Sequence, residues 1–216
     1  MDDPYRMYLV VRRGAFEDLA TGAVLAGAAA VKCLRRFVQN PEYVDAIAAW
    51  KERPGKVTLR ARGGQWQQVL EEEAFSYAGD LDQAAVLALP PRRRSERSET
   101  LTRLQAMASE LEPLPAIDDE PVPGDGMTYV VNPGFEMSTG KTMAQVAHAA
   151  TSAAATGRYE GWVENGCPAR VVKAETKALF TQLCARDDLA AKVEDAGLTE
   201  VPPGTITVLA IAPASA

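Results

Sequence analysis

Apolar and polar positions fall into the same order twice along this chain. Residues 7–14, MYLVVRRG, and residues 127–134, MTYVVNPG, are short apolar runs closed by a glycine, and each predicts a buried strand. A loop follows each run, then a Thr-Gly pair and an alanine-rich stretch, 21–37 and 139–156, that predicts a helix. Each half then carries a tryptophan, Trp50 or Trp162, before a strand led by a basic residue, KVTLRA at 56–61 and RVVKAE at 170–175. Stretches 65–74 and 176–186 predict second helices. AAVLALPP at 84–91 and ITVLAIAP at 206–213 close the two halves with strands of near-identical pattern. Residues 187–205 are extra in the second half, and AKVEDAG there accommodates one more strand. A β-α-β-α-β order met twice predicts a tandem duplication.

Between the halves the pattern changes. Residues 95–110 place Leu101, Leu104, Met107 and then Leu111 at helical spacing, with Ser95 or Ser98 as the cap, and predict a helix. Residues 111–126, LEPLPAIDDEPVPGDG, hold four prolines, two glycines and five acids, which excludes a continued helix or a central strand. The expected organisation is a domain at 1–95, a helix and semi-extended acidic linker at 96–126, and a second domain at 127–216.

Composition adds limits. A chain of 216 residues with 47% hydrophobic and 24% charged residues can bury one large core or two smaller ones. No apolar run approaches a membrane span, and the first residues lack a secretory hydrophobic segment, so a soluble cytoplasmic protein is expected. Cys33, Cys167 and Cys184 are odd in number and lack CxxC spacing, which predicts buried thiols and neither disulfides nor zinc. The net charge of −6 resides in one place. Residues 1–103 hold 16 basic and 14 acidic residues, residues 104–126 hold six acids and no base, and residues 127–216 hold 7 bases and 9 acids. The folded parts are therefore close to neutral, and the low overall pI does not exclude a polyanionic partner.

Candidate chemistry lies in residues 138–149, STGKTMAQVAHA. Gly140-Lys141-Thr142 has the look of a P-loop end, but five residues separate Gly134 from Gly140 where the phosphate cradle requires four, and none of the five is glycine. As a helix, the stretch puts Lys141, Gln145 and His148 at i, i+4 and i+7 on one face. A cation in the first turn is disfavoured by the helix dipole unless an anion sits beside it. The equivalent stretch of the first half, TGAVLAGAAAV, carries Ala23, Gly27 and Ala30 at these three positions, so the first half lacks the polar stripe.

These residues resemble the type-2 peptidyl-tRNA hydrolases. Their helix reads close to MGKGKxAAQxxHA, which Gly140, Lys141, Ala144, Gln145, His148 and Ala149 match in register. Their later signature, close to QDAGRTQIxPGSxTVLGIGP, is similar to residues 194–213, EDAGLTEVPPGTITVLAIAP. The resemblance covers about 127–216, and the first half resembles the same fold only in pattern. It implies an α/β fold class: two tandem copies of a three-layer domain, each a mixed, roughly four-stranded sheet with helices on both faces, joined as a pseudo-dimer. It implies hydrolysis of the ester joining a peptide or N-acyl amino acid to tRNA, without metal or cofactor and without DNA or membrane partners. Lys141, Gln145, His148, Asp195 and Thr199 take the catalytic positions, and Gly140, Gly197, Pro203, Gly204 and Thr207 the substrate-binding ones.

Three positions depart from the family pattern. Leu198 stands for a basic residue, Glu200 for a glutamine and Thr139 for a frequent lysine. Each removes positive charge or adds negative charge on the expected tRNA side, where phosphate neutralisation dominates affinity. Basic residues of the first half, Arg12, Arg13, Lys32, Arg35, Arg36, Arg53, Lys56, Arg60, Arg62 and the cluster Arg92, Arg93, Arg94 and Arg97, are candidates for compensation or ordinary solvated surface. Two alternatives stand beside the esterase: a tRNA- or protein-binding module with weakened chemistry, and a hydrolase of another acyl ester or amide.

Overall fold

A computed structural model describes residues 3–197 and 200–214. The first half contains β1 (Arg6–Arg12), α1 (Leu19–Phe37), α2 (Val44–Glu52), β2 (Lys56–Ala61), α3 (Gly64–Leu70), β3 (Ser76–Tyr77), β4 (Val86–Arg92), α4 (Glu99–Arg103) and β5 (Gln105–Ala106). The second contains β6 (Ala116–Ile117), β7 (Met127–Val131), α5 (Thr139–Ala155), α6 (Glu160–Glu164), β8 (Ala169–Ala174), α7 (Lys177–Cys184), β9 (Leu189–Asp195) and β10 (Thr205–Ile211). The two sheets have the orders β3-β4-β1-β2-β5 and β6-β8-β7-β10-β9. The opening strands pair alike: β1 is parallel to β2 and antiparallel to β4, and β7 is parallel to β8 and antiparallel to β10.

Finer details match as well. The Trp50 indole N–H donates to Gly55 O at 2.8 Å and the Trp162 indole to Pro168 O at 2.9 Å. The same two carbonyls accept the amides of Met7 and Met127, the residues at which β1 and β7 begin their parallel pairings. Each tryptophan thus pins the turn that feeds the parallel strand.

Each sheet has five strands where about four were expected, and the fifth comes from the connecting segment. The helix expected over 95–110 is only α4, capped by Ser98, whose hydroxyl accepts from Leu101 N. The helical spacing misled because its apolar residues serve two cores. Leu101 and Leu104 pack on one face of the first sheet, Met107 and Leu111 on the other. The chain turns extended at Leu104 to pass round the sheet edge, where β5 pairs with β2. Residues 111–126 likewise are more than a tether. Leu111 and Leu114 pack on the core, and β6 joins β8 through Lys173 N to Pro115 O and Glu175 N to Ile117 O. A two-residue edge strand uses one side of the backbone, so the neighbouring prolines do not forbid it.

Helices cover both faces of both sheets. α3 and α4 pack on the outer face of the first sheet against Tyr8, Leu59 and Leu87, and α7 packs on the outer face of the second against Val130, Val172 and Leu209. The inner faces share one continuous core through α1 and α5. Both helices are capped, by Asp18 on Thr21 N and by Ser138 on Lys141 N, and both are alanine-rich. They run in the same direction: Gly22 faces Met143, while a Cβ on Gly27 would stand 3.2 Å from that of Ala150. The small residues let the backbones approach closely. No helix among the described residues is long and apolar enough to cross a membrane. Cys33 and Cys167 are buried, and burial pushes the Cys167 thiol up to about 11.

Candidate active site

The N-terminus of α5 and the end of β9 meet at Asp195. β9 is set beside α5 by its antiparallel pairing with β10, in which Asp195 faces Thr205. The chain then turns through Gly197 at φ +72°, where a side chain would run into Pro203 at 2.3 Å from its nitrogen. This turn aims Gly197 N at Asp195 Oδ1, 2.8 Å away, and Gly204 N donates to the Asp195 carbonyl at 2.9 Å. The glycines named as substrate contacts therefore have a prior structural task, which is to fold the backbone around the carboxylate.

Asp195 Oδ2 accepts from Lys141 Nζ at 2.5 Å and from Gln145 Nε2 at 2.8 Å. Asp195 is 8% exposed and Gln145 3%, so an unpaired charge here would be costly. An ionised carboxylate only accepts, so the amide of Gln145 must turn its NH2 toward Asp195. Its Oε1 then faces Thr207, whose hydroxyl donates to it at 2.6 Å, while Val193 O lies farther from that hydroxyl at 3.4 Å. Thr207 is thus a buried partner of Gln145, two steps from the surface. The anion that the first-turn lysine calls for is present as Asp195.

A second carboxylate lies at the same helix end. Glu200 accepts from Ser138 N at 2.6 Å and from Ser138 Oγ at 2.7 Å. The negative charge that Glu200 introduces is spent on the α5 N-terminus, where the helix dipole favours it. Gly140 is buried: its N–H donates to Met107 O at 3.1 Å and its carbonyl accepts from Thr58 Oγ1 at 2.9 Å. A Cβ at Gly140 would stand 2.6 Å from Met107 O. Its lack of a side chain serves this close approach of the connecting segment.

His148 belongs elsewhere. Its Nδ1 lies 3.1 Å from Lys56 Nζ on β2 of the first half, and that amine also donates to Thr151 Oγ1 at 2.9 Å and stacks over the Trp50 ring at 4.6 Å. Burial, then Lys56, Lys141 and Arg6, hold the imidazole well below its usual pKa and therefore neutral. Burial likewise depresses the Lys56 amine. So the helix stripe divides. Lys141 and Gln145 converge on Asp195, and His148 joins the seam between the halves. Pro203 is exposed at the rim, and Thr199 lies outside the described residues. Sequence reasoning missed Lys56 as the histidine's partner, and only the basic start of KVTLRA hinted at it.

Residues 126–216 match the family model described as peptidyl-tRNA hydrolase PTH2. A peptidyl-tRNA hydrolase of Thermococcus onnurineus is 39% identical over 95 residues, which span 39% of this chain and 80% of the relative. The chain belongs to the PTH2 peptidyl-tRNA hydrolase family. Peptidyl-tRNA hydrolases of Methanopyrus kandleri and Staphylothermus marinus are 36% and 35% identical over 96 and 100 residues, again 39% of this chain and 80% and 78% of theirs. No solved structure matches the chain. The PTH2 match covers the half that carries Lys141, Gln145 and Asp195 and stops short of the half that carries Lys56.

Proposed function

We propose that the chain hydrolyses the ester between a peptide, or an N-acyl amino acid, and the 3′ end of tRNA. The observation that carries this reading is the convergence of Lys141, Gln145 and the Gly197 amide on one nearly buried carboxylate at a helix mouth, within the segment that matches PTH2. Asp195 accepts a proton from the attacking water. Lys141 Nζ, two residues into α5, offers positive charge to the oxygen that becomes the oxyanion. The ester C–O bond breaks and the proton passes to the departing ribose oxygen. Gln145 and Thr207 position Asp195, and His148 is a structural member of the seam. The tRNA is the substrate, and no cofactor takes part.

The first half serves as an inert second copy of the same fold, covalently held in the place of a dimer partner, with domain boundaries at 1–95 and 127–216. The matching strand senses, the paired tryptophan hydrogen bonds and the close α1–α5 packing support this reading. The test is peptide release from peptidyl-tRNA and from a small N-acyl amino ester, with Lys141→Ala and Asp195→Asn. Each variant is expected to lose about a hundredfold or more in kcat, as removal of a single stabilising or proton-accepting group typically costs. Full activity in both variants refutes the assignment.

A further inference from the structure

An open cleft lies in the half without Lys141 and Asp195. It is an open depression of about 730 Å³ at the end of β1 and the start of α1, walled by residues 107–112 of the connecting segment. Arg12, Arg13 and Arg60 line it. Arg12 and Arg13 stand where the second half has Asn132 and Pro133, so the strand end that lacks a catalytic helix face has gained two guanidinium groups. Arg62 follows one residue past the end of β2.

These cations are poorly compensated. Among the described residues none of Arg12, Arg13, Arg60 and Arg62 forms an ion pair, although Glu17, Glu110 and Glu112 line the same cleft. Arg60 donates to neutral partners only, Ser109 Oγ at 3.1 Å and Gln105 Oε1 at 3.2 Å, and its Nε is buried without a partner. Burial, then repulsion from Arg62 and Arg13, lowers its pKa. Arg12 lies over the Trp66 ring, 5.8 Å from its centroid, which holds the guanidinium extended at the strand end. A cluster of like charges kept together without an ion pair to the neighbouring carboxylates is the arrangement that a polyanion would relieve.

The cleft also adjoins the candidate active site. Met107 and Ser109, which wall it, accept hydrogen bonds from Gly140 N at 3.1 Å and Thr139 Oγ1 at 2.7 Å, one and two residues before Lys141. The same short stretch of chain therefore borders both. We propose that Arg12, Arg13, Arg60 and Arg62 form a phosphate-binding site for the backbone of the tRNA whose ester lies at Lys141 and Asp195. This rests on the hydrolase reading for its choice of RNA. It assigns the inert half a task in substrate binding, where the catalytic half has Glu200 at the helix mouth.

The test uses the full chain with Arg13→Gln and Arg62→Gln combined, both exposed residues. Lys51→Gln, which removes a positive charge toward the opposite end of β2, is the control for charge loss elsewhere on the surface. KM for peptidyl-tRNA is expected to rise about tenfold in the double variant, with kcat within about twofold. The dependence of log affinity for deacylated tRNA on log salt is expected to become shallower by about 1 to 2, one phosphate contact per arginine. The control should match the wild type in both. Unchanged KM and salt slope in the double variant overturn the proposal, as does a wild-type chain that fails to bind tRNA at low salt. If the wild type binds deacylated tRNA through these arginines but cleaves nothing, the hydrolase reading falls and the cleft assignment stands.

Discussion

Thr207→Val probes whether the carboxylate is held by a chain of donors. The change replaces the hydroxyl with a methyl of similar size at a residue 1% exposed. Gln145 Oε1, now 2.6 Å from the hydroxyl, loses its donor and stays buried. An unsatisfied buried acceptor costs about 1–3 kcal/mol, and the methyl cannot sit as close as the hydroxyl did, so about 2 kcal/mol is expected. In a chain of this size that lowers Tm by about 4–8 °C. Gln145 then has no reason to keep its NH2 toward Asp195, and kcat/KM for peptidyl-tRNA should fall about tenfold, about 1.4 kcal/mol. Thr207→Ser keeps the donor, loses one buried methyl at a cost of about 1 kcal/mol, and should retain activity. In Thr207→Val with Gln145→Leu both partners are apolar, so the stability loss should be less than the sum of the singles. Calorimetric melting and single-substrate kinetics read all four variants. A Thr207→Val protein that melts no lower than Thr207→Ser and retains its kcat/KM refutes the donor chain.

Gly140→Ala forces a Cβ to within 2.6 Å of Met107 O, so the α5 N-terminus or the connecting segment must shift; a loss of about 1–3 kcal/mol in chemical denaturation and a clear fall in kcat are expected. His148 is kept neutral by burial and by Lys56, Lys141 and Arg6, so its folded pKa lies well below the usual 6.5. As pH falls below that value the unfolded chain takes up a proton that the folded chain refuses, and stability drops by at most about 1.4 kcal/mol per pH unit. Urea titrations between about pH 5.5 and 7 should show this slope in the wild type and a flatter one in His148→Gln.

Much of the fold was legible in the order of apolar runs. The β1, β2, β4, β7, β8 and β10 strands, both long helices and the β9 strand fall where alternation and alanine content placed them. The connecting segment was not legible, because Leu101, Leu104, Met107 and Leu111 mimic a helix stripe while serving two faces of a sheet. The pairing of Lys141 with Asp195 rests on residues 54 apart, and helix spacing alone named only one side of it. His148 shows the limit of a shared stripe. A helix lying between two sheets presents one end of a face to each, and spacing cannot say which neighbour a residue meets. Glu200 reads in sequence as an added charge, yet the nearby Ser138 turns it into a helix cap.

The seam between the halves holds a contact, from β2 to α5, without a counterpart. Lys56 meets His148, but strand register relates Lys56 to Ala169 and helix alignment relates His148 to Ala30, two residues with nothing to exchange. Two identical subunits around a twofold axis would write every such contact twice, so a buried amine set against an imidazole would be doubled along with its desolvation cost. Two unlike halves within one chain are free of that constraint. Each side of the seam can then change without altering the other, as the unlike partners Lys56 and His148 illustrate.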